Sequence, residues 1–137
     1  MGTTTTNLGL YKPANSEEDW GDDVNANWDT LDNLNKNVTF LTSGTLNVNS
    51  SHQVIIIDLT AEETMTVSLP SASSSEGQML YIACKSSGGD ALIDADGSDT
   101  INGDGSYESS SEYDYIIIVS DGVDTWFILS VDGWLST

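Results

Sequence analysis

The chain has 137 residues, and its 22 acidic side chains against three cationic ones leave it at −19. That balance excludes a direct grip on nucleic acid, which needs cationic contacts to phosphate, and electrostatic attraction to an anionic membrane. Apolar residues make up only 38% of the chain, so one subunit has a limited core. Copies that associate must do so through uncharged contact, with salt screening the rest.

The opening GTTTTNLG lacks the apolar core of a secretory leader. No run reaches the roughly 18 apolar residues of a membrane span. The expectation is a chain made and assembled in the cytoplasm, without membrane insertion. The single cysteine, Cys84, lies in the apolar run LYIAC and reads as a small core residue.

Residues 1–22 read as an extended segment. A threonine run opens it, and Pro13 with Asn15-Ser16 interrupts any helix. The segment is too polar to form a core, yet it presents Leu8, Leu10, Tyr11 and Trp20 as isolated large apolar side chains. Such anchors are made to be buried by something else. Gly21 separates them from a short helix expected from about Asp22 or Asp23 to Asn37. Val24, Trp28, Leu31, Leu34 and Val38 follow steps of four, three, three and four, which places them on one face. Asn35 falls where a strict heptad would be apolar, a position that can fix register in a coiled coil. A helix of this length is marginal alone, so it needs partners, either its own copies or a socket. Residues 23–42 are thus read as helix and connector, with Ser43-Gly44 at the boundary.

From there residues 43–137 read as one β-domain. TLNV (45–48), VIIIDL (54–59) and TMTVSL (64–69) have strand composition, and Met65, Val67 and Leu69 alternate with Thr and Ser. QMLYIAC (78–84) and YIIIV (115–119) are apolar on both faces. Strands of that kind sit at the middle of a sandwich or at a subunit interface. Short strands ALID and DTIN lie among Gly-rich turns, and Asp121-Gly122 joins YDYIIIV to TWFILSV as a hairpin. Trp134 is expected to plug the end of the last strand. The spacing gives a mainly β chain whose C-terminal part is a small antiparallel β-sandwich or jelly-roll-like domain. The Ser-rich loops and the Asp-Gly turns recur without a fixed period, which speaks against a solenoid.

LGLYKP (8–13), then WG (20–21), then VNANWDTLD (24–32) resembles the N-terminal attachment region of bacteriophage tail and neck fibre proteins. SLPSASSSEGQMLYI and IIIVSDGVDTWFIL resemble a small β-domain of the same proteins, in which SLPSA, GQ and SDG followed by Trp recur. The resemblance implies a virion structural protein, a homotrimer, and so favours three copies in a short helical bundle through Val24, Trp28, Leu31, Leu34 and Val38. It would be anchored to phage neck, tail or capsid proteins through Leu8, Leu10, Tyr11, Lys12, Pro13, Trp20, Gly21, Val24, Asn25, Asn27 and Trp28. A receptor- or carbohydrate-binding adhesin that contacts host surface glycan is the alternative, and a polysaccharide-degrading enzyme a more distant one.

The residues themselves speak for a non-enzyme without cofactor. Asp94, Asp96, Asp99, Asn102 and Asp104 suggest a calcium loop, but the spacing fails the helical pattern and Asp or Asn before Gly is ordinary turn chemistry. His52 has no cysteine or second histidine near it, so no zinc site is expected. No nucleophile elbow accompanies the many serines. Glu62-Glu63, or Glu108 with Glu112, read as solvated acids rather than a glycosidase pair. Tyr107, Tyr113 and Trp134 are the aromatics that could stack on sugars, and packing is the expected role for each.

Overall fold

The computed structural model describes Thr3–Thr4, Tyr11–Lys12 and residues 38–137. Two compact units divide the chain, Met1–Asn37 and Val38–Thr137. In the first, β1 (Thr3–Thr4) and β2 (Tyr11–Lys12) pair antiparallel, with Thr4 opposite Tyr11. The remaining expected anchors and the expected helix up to Asn37 lie outside the described residues.

The second unit is mainly β, and its described residues contain no α-helix. Its strands are β3 (Val38–Leu41), β4 (Thr45–Asn47), β5 (Val54–Ile57), β6 (Thr64–Ser68), β7 (Met79–Cys84) and β8 (Asp90–Asp94). They continue with β9 (Thr100–Ile101), β10 (Ser106–Ser109), β11 (Tyr115–Ser120), β12 (Thr125–Asp132) and β13 (Leu135–Ser136). They form a six-stranded sheet, β3-β5-β7-β11-β12-β9, and a five-stranded sheet, β13-β10-β8-β6-β4.

Two expectations change here. Val38, placed on the helical stripe, instead starts β3 and pairs in parallel with Val54. Four residues, Val-Thr-Phe-Leu, alternate with period two, and the parallel ladder to β5 decides the matter. The β-domain therefore begins at Val38, not at 43. Second, the sheets are mixed rather than antiparallel. From β3 to β8 the chain crosses to the other sheet after every strand. Sheet neighbours are then two strands apart in sequence and run parallel, as β3-β5-β7 and β4-β6-β8 do. This is a solenoid-like winding with unequal turns. Register partners Val38 and Val54 are 16 residues apart, whereas Val54 and Tyr81 are 27 apart. No fixed period exists for the sequence to display. Only β10 to β13 add the antiparallel pairs, together with the β7-β11 pairing.

One hydrophobic cluster draws on both sheets. Ile55, Ile57, Leu80, Ile82, Ile116, Ile118 and Trp126 come from the six-stranded sheet, and Met65, Val67, Ala91 and Ile93 from the other. Trp126 is fully buried and Trp134 nearly so, as a plug should be. Their indole N–H groups have no hydrogen-bond partner, so burial of the rings must outweigh two idle donors. Cys84 is buried, and burial raises its thiol pKa, which suits an inert core residue.

The turns are held by side chains. Asp58 caps the 3-10 turn Leu59–Ala61 and accepts from the Thr60 N–H at 3.2 Å, the Thr60 hydroxyl at 2.9 Å and the Ser86 hydroxyl at 2.7 Å. Ser86 in turn accepts the Leu59 N–H at 2.8 Å. One small cluster thus ties the β5-β6 crossing to the segment after β7. Gly89 is needed where that segment passes the same crossing, since a Cβ there would lie 2.6 Å from the Glu63 carbonyl oxygen. In the β11-β12 hairpin, the Asp121 carboxylate accepts the N–H groups of Val123, Asp124 and Thr125. Those bonds, Val123 first, hold its pKa below the ordinary value.

Candidate interaction surface

Strands alternate their side chains between faces, so each buried set in the six-stranded sheet leaves a second set pointing outward. The pairing register aligns that second set across strands. One row runs Val38, Val54, Tyr81, Ile117 from β3 to β11 and ends at Ser130 of β12. The next runs Phe40, Ile56, Ala83, Tyr115 and ends at Asp132. A third, shorter row joins Met79, Val119 and Phe127. Every member of the three rows before those two polar ends is apolar or aromatic. Phe40 is 62% exposed, Phe127 49% and Tyr81 43%, while Val54, Ile56, Ile117 and Val119 are half-buried by their neighbours. A register shift between Ile117 and Ile118 leaves Leu129 without an opposite residue, a bulge that bends β12 at the margin of this surface.

Single exposed apolar residues are normal, but a contiguous apolar face marks a place of contact. The two apolar-on-both-faces runs of the sequence, 78–84 and 115–119, are β7 and β11, adjacent at the centre of this sheet. The signal that was missed is β3. Its Val38 fits a helical spacing from Val24, so its outward pair Val38 and Phe40 was hidden.

Two open clefts lie elsewhere, and both are polar. One of about 490 Å³ is lined by Glu62, Glu63, Gly88, Gly89, Asp90 and Ser110. The other, about 340 Å³, includes Glu108, Ser109, Asp114 and Leu135. In it the Ser109 hydroxyl donates to Asp114 at 2.5 Å and receives a weak contact from the buried Cys84 thiol at 3.7 Å. That serine is a buried polar group whose hydroxyl is satisfied by a carboxylate.

His52 lies far from such a role in its contacts: its Nδ1 accepts the Asn49 N–H at 2.9 Å and shapes a loop. Three of the calcium-like side chains are spent on separate partners. Asp99 accepts the Ala72 N–H at 2.8 Å, and Asn102 accepts the Ile128 N–H at 2.9 Å. Asp104 receives the Tyr107 hydroxyl at 3.4 Å, and burial, with Asp104 beside it, raises the Tyr107 pKa. Among the described residues, no three His, Cys, Asp or Glu side chains are grouped so as to hold a metal ion, and no helix is long and apolar enough to cross a membrane.

Of the sugar-stacking candidates, Trp134 is buried and Tyr107 half-buried, whereas Tyr113 stands 76% exposed with φ at +69°. Of the expected attachment residues, the structure places Tyr11 and Lys12 on β2. Leu8, Leu10, Pro13, Trp20, Gly21, Val24, Asn25, Asn27 and Trp28 lie outside the described residues, as do Leu31 and Leu34. No protein-family model matches the chain, and no curated protein matches it.

Proposed function

We propose that this chain is a non-enzymatic structural protein of a bacteriophage particle. It forms a short homotrimeric fibre or appendage, assembled in the host cytoplasm and anchored to the neck, tail or capsid through its N-terminal segment. In this reading the two sheets pack as a sandwich that projects from the particle. The observation that supports it best is a broad apolar sheet face on an otherwise acidic domain, which suits contact with protein rather than turnover of a small substrate. The resemblance of residues 8–32 to fibre attachment regions supports the location. Trp20 and Trp28 are the largest anchors, and aromatics in desolvated pockets often dominate an interface. Trp20→Ala with Trp28→Ala should leave the far-ultraviolet β-signal intact and remove the protein from purified particles. Normal incorporation of the double variant would refute this anchoring.

A second reading, a host-glycan adhesin, is favoured by one observation. Tyr113 is an exposed aromatic held in left-handed backbone, a conformation costly for a bulky residue and found at ligand contacts. Binding of the full chain on a glycan array, lost in Tyr113→Ala, would support it. An array without signal would leave the structural role.

A further inference from the structure

We infer that the apolar outer face of the six-stranded sheet is where copies of this chain meet, so that self-association is built into residues 38–137 and does not depend on a helix before them. This deepens the assembly reading above by naming the surface and its occupant.

Charge singles out a second copy. At −19, two chains repel wherever carboxylates face one another, and a like charge brought opposite another is costly. On this face the three rows carry a single charged residue, Asp132, at the margin. Two copies can therefore touch here without setting acid against acid. The outer face of the five-stranded sheet gives no such opportunity, because it carries Asp90, Asp94 and Glu108. A cationic partner would be drawn to those acids and to the acidic clefts, not to the one face that offers it no counter-charge.

The area agrees. Five strands about 4.8 Å apart, taken over about five residues at roughly 3.3 Å each, cover on the order of 400 Å² in projection. The side chains stand above that plane, so the accessible area is larger. The projected patch alone is about half of the roughly 800 Å² per partner of a standard interface, and it is the size of the largest patch on a typical monomer, which is often functional. The face is also built on paired strands rather than on loops. It meets a partner already shaped, and little ordering entropy opposes association.

The test is the mass of the full chain in solution at micromolar concentration, by sedimentation equilibrium or native mass spectrometry. The expected result is a multiple of the chain mass. Tyr81→Glu, in the middle of the first row, should reduce the assembly to single chains or weaken it at least a hundredfold, with its β-signal retained. Should that variant lose its fold, Tyr81→Ser with Ile117→Ser removes apolar area without adding charge, and the same fall in association is expected. Leu92→Glu, on the outer face of the other sheet, should leave the mass unchanged.

Three results would overturn the inference. A folded Tyr81 variant with wild-type mass would place association elsewhere. A monomeric wild type that binds an apolar dye would call for a foreign partner. A monomeric wild type that excludes the dye would put residues 1–37 of the same chain on the face. Particle incorporation and mass in solution are separate readouts, so this surface and the N-terminal anchoring can fail independently.

Discussion

Thr45, Thr66, Leu92, Glu108 and Leu135 form one outward row across the five-stranded sheet. The corresponding row of the six-stranded sheet reads Val38, Val54, Tyr81, Ile117 and Ser130. Inward, both sheets are apolar, with isoleucine and leucine dominant in one and Met65, Val67, Ala91 and Ile93 in the other, and they contribute to one cluster. Outward, β6 turns Thr64, Thr66 and Ser68 to the surface, where threonine keeps strand propensity and hydrogen-bonds to water. β7 and β11 instead turn out Met79, Tyr81, Ile117 and Val119. The fold needs only the inner residues. The outer residues are where the sheets differ, mixed hydroxyl, acidic and leucine side chains on one and almost unbroken apolar and aromatic rows on the other.

The largest effects should come from the shared interior, where the sheets are alike. Ile93 and Ile118 are both fully buried, one from each sheet. Ile93→Ala and Ile118→Ala should each lower unfolding stability by about 2–5 kcal/mol, read from urea denaturation at fixed protein concentration. Similar costs would fit one common core. A cost below about 1 kcal/mol for either would mean that its sheet is not sealed by the other.

Exchanging the outer faces sharpens the contrast at a smaller scale. Val119→Thr and Thr66→Val trade the two surface types at half-buried positions on central strands. Both should leave the fold intact. Val119→Thr should weaken self-association by about 1 kcal/mol per copy, the worth of roughly one buried methyl group, while Thr66→Val should not strengthen it. Equal effects on association would erase the distinction between the faces.

Much of this was legible in the residues, for reasons that can be named. β6 shows clean alternation, and β7 and β11 are apolar throughout, so their strand character and central position could be read directly. β12 followed from the Asp121-Gly122 turn. β3 was not legible, because Val38 satisfies a helical spacing as well as an alternating one, and only pairing with β5 separates the two. β10 offers Ser-Tyr-Glu-Ser, with one large apolar residue and no pattern to detect. The parallel register was hidden too: crossings of unequal length leave no repeat, so neither the mixed sheets nor the full width of the apolar face could be assembled from local spacing. The two halves of the face, Val38 with Phe40 and Tyr81 with Ile117, meet only through β5.

The smallest expected effect lies at the crossing that carries the chain from one sheet to the other. Asp58 follows β5 and caps the turn that leads to β6, and the hydrogen bond from Ser86, then those from Thr60, hold its pKa below the ordinary 3.8. A carboxylate whose folded pKa is depressed adds stability above its unfolded value and loses it as pH falls through the folded one. Asp58→Asn should therefore be less stable than the wild type at neutral pH. The gap should close only below pH 3.8. Asp121, held below its ordinary value by the Val123, Thr125 and Asp124 N–H groups, acts in the same sense in wild type and variant alike. Wild-type melting temperature should thus fall on acidification through the acidic limb, and more steeply than that of Asp58→Asn. If the gap between wild type and variant stayed constant through that limb, the Ser86 and Thr60 bonds would not be holding an ionised carboxylate, and the crossing would be fixed by backbone packing at Gly89 alone.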